Sequence, residues 1–167
     1  TFGNREIAVA RELTKLHEEI INTTLEDFLN FADTLEKNGY KVSDGDHPNH
    51  LVFKKPNAHL EMHFMVAGVP YGKKGEIVKS ALSSIFDSLI IKEFEGEKFS
   101  APNDFMHGLI LLLHASHHLL GEGIGLRHLS DWGAFVERTK DKEFWQKDLL
   151  PLLDEIGLRV FAETITK

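Results

Sequence analysis

The chain has 167 residues, 42% hydrophobic and 27% charged, a balance that excludes intrinsic disorder and suits one domain or two small subdomains sharing a core. A formal charge of -7 argues against a general nucleic-acid-binding surface, which needs clustered Lys and Arg. The absence of cysteine excludes disulfides, thiolate zinc sites and thiol catalysis, as expected of a cytoplasmic protein, and no apolar run approaches the roughly 20 residues that span a bilayer.

In chain order, residues 4–21 carry Ile7, Ala10, Leu13, Leu16 and Ile20 at helical spacing, which predicts an amphipathic helix. Asn22-Thr23-Thr24 interrupts it, and either Thr23 with Glu26 or Thr24 with Asp27 offers a capping box for a second helix. Leu25, Phe28, Leu29, Ala32 and Leu35 mark the buried face of that helix, and Asn38-Gly39 stops it before a short strand at Tyr40-Lys41-Val42. Asp44-Gly45-Asp46, followed by His47-Pro48, reads as a turn.

Strands are predicted over residues 51–54 and 58–66, joined through Lys55-Pro56-Asn57. Alternation puts Leu60, Met62 and Phe64 on one face of the second strand and His59, Glu61 and His63 on the other, so one side of the sheet is apolar and the other ionisable. Residues 69–98 read as a glycine-bearing loop, a helix at about 77–89 and an extended piece at 90–94. Ser100 is the expected cap of the next helix, with Pro102 in its first turn. Helices over 104–120, 126–140, 142–156 and 158–166 follow, joined so briefly that they should pack as antiparallel neighbours. A boundary near Ser100 divides an α/β part, residues 1–100, from an α-helical part, residues 101–167.

The ionisable groups allow several chemistries. His59, Glu61 and His63 could hold a transition metal through two imidazoles and a carboxylate, or form no more than a half-exposed polar strand face. His107, His114 and His118 share a helix stripe, but no carboxylates at bundle spacing face it. The stripe therefore reads as core or interface histidines bonded to carbonyls or to Asp131, not as a high-affinity metal site. Arg127 and Asp131 stand four apart on a helix, placed either to pair with each other or to hold a polar group jointly. Gly121, Gly123 and Gly125 suit a tight helix-to-helix turn better than a phosphate loop, because no strand precedes them. Trp132, Phe135, Phe144 and Trp145 read as packing aromatics.

The run His114-x-x-x-His118, then Gly121-x-Gly123-Ile124-Gly125-Leu126-Arg127-x-Leu129-x-Asp131-Trp132, resembles the C-terminal helical part of a family of uncharacterised bacterial nucleotidyltransferase-like proteins. Gly39-Tyr40, His47, His50, Phe53-Lys54-Lys55-Pro56 and the segment His59 to Phe64 carry the same resemblance, which extends from about Leu25 onward. It implies an α+β fold: a partial nucleotidyltransferase-like α/β domain with a C-terminal α-helical bundle. The implied reaction is magnesium-dependent transfer of a nucleoside monophosphate from an NTP to an unknown acceptor hydroxyl.

By the same resemblance Glu61 matches the third metal-binding carboxylate and is the expected catalytic and metal residue. His63 is expected to position substrate or orient Glu61, and Arg127 and Asp131 to contact nucleotide or acceptor. The paired D-x-D of such enzymes has only Asp44-Gly45-Asp46 as its nearest match. The resemblance places that pair before a segment like Thr1-Phe2-Gly3-Asn4, so the acids are expected upstream of residue 1 and the chain is expected to be inactive alone. Without those acids the scaffold would be a degenerate binding or interaction module. A histidine-based metal-binding protein is the third class.

Overall fold

A computed structural model of the protein describes residues 25–44, 50–63, 65–121 and 123–167. The helix expected over residues 4–21 lies outside them. The chain divides into two compact units, Thr1–Met65 and Val66–Lys167.

In the first unit, α1 (Leu25–Lys37) precedes a three-stranded antiparallel sheet of β1 (Lys41–Asp44), β2 (His50–Lys55) and β3 (Ala58–His63), with β2 in the centre. Helix α1 ends where the Asn38 amide nitrogen of the side chain donates to the Thr34 carbonyl at 2.8 Å, and Tyr40 N–H returns to the Leu35 carbonyl. Ala32, Leu35, Leu51 and Phe53 form the core of this unit, with Leu29, Tyr40, Val42, Leu60 and Met62 packed around it. The helix thus covers the apolar sheet face that strand alternation predicts. The third strand ends at His63, sooner than expected, and Phe64 lies outside the described residues. Asp44 is the last residue of β1 and pairs with Val52 after a register shift that leaves Ser43 as the extra residue; Gly45 and Asp46, the rest of the expected turn, lie outside the described residues.

The second unit begins with a loop into α2 (Lys73–Leu82), followed by a hairpin of β4 (Ile90–Phe94) and β5 (Glu97–Ala101). Helix α2 starts and ends earlier than its sequence pattern suggests. The hairpin's second strand, rich in polar residues, takes the place of the expected cap at Ser100. The cap of α3 (Asp104–Gly121) is Asn103, whose side-chain oxygen accepts from the Met106 N–H at 2.9 Å; Pro102 stands just before that cap instead of inside the first turn.

Helix α4 (Leu126–Thr139), a π-helical turn (Trp145–Leu149), α5 (Leu150–Ile156) and α6 (Arg159–Thr166) complete the unit. Its core joins Val78 and Leu82 of α2 to Leu109, Leu112, Leu113, Trp132, Phe135, Leu149, Leu153 and Ile156. Residues 66–100, which the sequence-based boundary groups with the α/β part, therefore belong to the helical unit through Val78 and Leu82. Trp132 and Phe135 stack at 5.5 Å, and Phe144 and Trp145 at 5.5 Å, so the four aromatics are packing residues. Among the described residues no helix is long and apolar enough to cross a membrane.

Candidate functional site

Strand β3 alternates half-buried and exposed side chains, so Leu60 and Met62 face the core while His59, Glu61 and His63 face outward. A two-residue turn, Pro56-Asn57, fixes the pairing with β2: His50 stands opposite His63 and Val52 opposite Glu61. Directly opposed residues share a face, so β2 brings His50 to the same surface. Val52, only 6% exposed, is the apolar residue beside Glu61.

Glu61 is held by its neighbours on both oxygens. Its Oε1 lies 3.2 Å from His59 Nε2 and its Oε2 lies 3.2 Å from His63 Nε2. The rings of His50 and His63 are 4.8 Å apart, and donor atoms of His50, Glu61 and His63 all fall within 4.8 Å of one another. Partial burial pushes the Glu61 carboxyl up, but the His63 hydrogen bond and the charges of His50, His63 and His59 outweigh it and hold the group below the usual carboxylate range. Because an ionised carboxylate only accepts, His63 Nε2 carries the hydrogen of that bond. The face can therefore present an anionic oxygen pair flanked by imidazoles at neutral pH.

The structure brings Glu61 and His63 together as alternation predicts and adds His50, which the sequence reading quoted without a role. The available signal was the hairpin: a two-residue turn at Pro56-Asn57 sets the register and hence the His50 to His63 pair.

In the second unit, Arg127 and Asp131 meet at 3.9 Å on one face of α4, with side chains 92% and 55% exposed. A pair so exposed and so loosely spaced contributes little to stability. The glycine turn before it is accounted for by chain geometry. Gly123 has φ +97°, and its N–H returns to the His118 carbonyl at 2.7 Å, a helix-ending bond that needs the left-handed backbone conformation. Gly125 then caps α4, donating its N–H to His128 Nδ1 at 3.3 Å.

The histidine stripe of α3 separates. His107 packs edge-on to Phe135 at 5.4 Å, and burial, followed by the charges of Lys92 and Arg138, pushes its imidazole below the usual range. His114 and His118 instead meet each other and His128 of α4. The sequence alone assigns His128 no role. Its signal was a third imidazole in the first turn of the helix that follows the His114-x-x-x-His118 pair.

The fold is α+β, a small antiparallel sheet with an ionisable face in one unit and a helical core in the other. The chain belongs to an uncharacterised nucleotidyltransferase family, whose sequence model matches residues 21–167. No curated protein and no solved structure matches it. The membership agrees with the resemblance carried by the glycine turn and the His59 to Phe64 strand.

Magnesium, which the resemblance implies, is not suited to this face as a protein-held ion. It demands near-octahedral oxygen coordination, whereas Glu61 is surrounded by imidazoles, the donors preferred by zinc, iron, nickel and copper. Glu61 can serve as one oxygen ligand of an ion held chiefly by phosphates and water, but the histidines cannot complete the set.

Proposed function

We propose that the protein serves the transfer of a nucleoside monophosphate from an NTP to an acceptor hydroxyl, with Glu61 as one contributing carboxylate and not a complete catalytic set. The observation that carries this reading is the ionised Glu61 carboxylate on an exposed strand face, oriented from both sides by His59 and His63, in a chain of a nucleotidyltransferase family. In the reaction the acceptor oxygen attacks the α-phosphorus, the bond from that phosphorus to the bridging oxygen breaks, and pyrophosphate leaves. The acceptor proton passes to Glu61, or through it to solvent. His63 holds the carboxylate in one orientation. Magnesium enters this reading only as the ion carried by the triphosphate substrate.

The test is equilibrium binding of a fluorescent NTP analogue with magnesium, alongside transfer of label from NTPs to candidate protein acceptors. Binding that weakens about tenfold in Glu61→Gln, with loss of any transfer, is the expected outcome. Binding without transfer that ignores Glu61 would instead describe a non-catalytic binding module on the same scaffold.

A further inference from the structure

We propose that His114, His118 and His128 form a binding site for a divalent first-row transition ion, with zinc as the best-matched occupant. The site lies wholly in the helical unit and does not rest on the function proposed for Glu61.

His114 and His118 are one turn apart on α3, so their side chains project from the same face. Gly125 caps the following helix, and His128 enters from the first turn of α4. The three rings converge: centroids are 4.6 Å apart for His114 and His118, 4.4 Å for His118 and His128, and 5.4 Å for His114 and His128. One ligand nitrogen from each residue falls within 4.8 Å of the other two, and all three side chains are half-buried.

The spacing can be compared with what zinc requires. Zinc-to-nitrogen bonds of about 2.0–2.1 Å at a tetrahedral angle place neighbouring ligand nitrogens about 3.3 Å apart. The Nε2 atoms of His114 and His118 stand 3.1 Å apart, close to that edge length. In the metal-free pair one of these nitrogens must carry a hydrogen for the other to accept, and a zinc ion would take the place of that shared proton. His128 needs a side-chain rotation of an ångström or so, on the order of the excess over the tetrahedral edge. Its Nδ1 now accepts from the Gly125 N–H at 3.3 Å, a long bond whose loss costs little.

Three imidazoles, with no carboxylate in the group among the described residues, leave the ion at least one open position. Water or a small anion would fill it, as in three-histidine zinc sites. The sequence argues against a metal on this stripe for want of carboxylates on a facing helix, but an imidazole serves zinc equally well. His128 supplies it, and His107 is not needed.

The experiment uses the whole chain, freed of metal and titrated with zinc chloride against a chromophoric chelator, then with cobalt chloride while the visible spectrum is recorded. Expected is one zinc equivalent assigned to this triad, and cobalt absorption of tetrahedral intensity. His128→Ala and the His114→Ala/His118→Ala double variant should each bind at least about a hundredfold more weakly, since a lost ligand costs no less than a lost outer-shell partner. A His50→Ala/His63→Ala variant separates any binding by the sheet face and should leave the triad's equivalent intact. Zinc should also raise the melting temperature of the wild type but not of His128→Asn, which keeps a polar side chain at the cap and so guards against a folding defect. No zinc binding, binding unchanged by His128→Ala, or binding lost only in the His50/His63 variant would overturn the proposal.

Discussion

Gly68 lies against the backbone of Leu113: a Cβ placed on the glycine would be 2.1 Å from the Leu113 carbonyl oxygen and 3.1 Å from the His117 Cβ. The loop that leads into α2 is therefore seated directly on α3, and the glycine's φ of +84° adds a second restriction that a substituted residue resists. Gly68→Ala should cost about 2–4 kcal/mol from overpacking against a helix backbone together with backbone strain. A urea titration should show the midpoint falling with the slope unchanged. A midpoint equal to wild type would mean that the loop is not seated on α3.

Asp104, at the start of α3, accepts from Arg138 at 2.8 Å and from Lys142 at 2.5 Å, clamping the end of α4 and the segment after it. Burial pushes this carboxyl up, but the two hydrogen bonds and the adjacent charges prevail and hold it below its ordinary value of 3.8. A carboxyl depressed in the folded state adds stability that is complete above its unfolded value and disappears as pH falls through the folded one. Asp104→Asn should therefore cost about 1–2 kcal/mol at neutral pH, a figure reduced because both cations are half exposed. The gap between variant and wild type should close below about pH 4, which denaturant melts across the acid range will reveal.

His107 gives the same sign at a higher pH. Burial holds its imidazole below the ordinary value of 6.5, so it stays neutral in the folded protein after exposed imidazoles have become charged. Stability from this group is present above that value and lost as pH falls through the lower folded one. NMR of the ring protons should show His107 titrating below free histidine. A midpoint at or above the free value would place the ring in water.

What the sequence disclosed follows from how far each signal reaches. The alternation of β3 was enough to assign Leu60 and Met62 to the core and Glu61 to the outer face, because period two is a local property. The stripe of α3 gave its extent almost to the residue for the same reason. Strand β5 escaped because Glu97, Lys98, Phe99 and Ser100 are all exposed and the hairpin needs no apolar face there. The cap at Asn103 was hidden by Ser100, an equally good capping residue three positions earlier. His128 was missed because its meeting with His114 and His118 depends on the angle at which the glycine turn returns the chain, and no periodicity encodes that.

The partnership of Glu61 with His63 leads to a measurement that needs no substrate. His63 supplies the largest of the effects that lower the Glu61 carboxyl, the hydrogen bond at 3.2 Å, and a charge effect as well, while burial acts in the opposite direction. Removing the imidazole in His63→Ala takes away both lowering effects, and the carboxyl should titrate at higher pH than in the wild type. His50→Ala, which removes a charge effect without a hydrogen bond, should raise it less. Carbon-detected NMR of labelled glutamate can follow the Glu61 carboxyl directly, with Glu61→Gln assigning the signal. A His63→Ala midpoint at or below the wild-type value would mean that Glu61 does not depend on His63. The positioning role assigned to that histidine would then be lost, leaving His59, on the other oxygen, to hold the carboxylate.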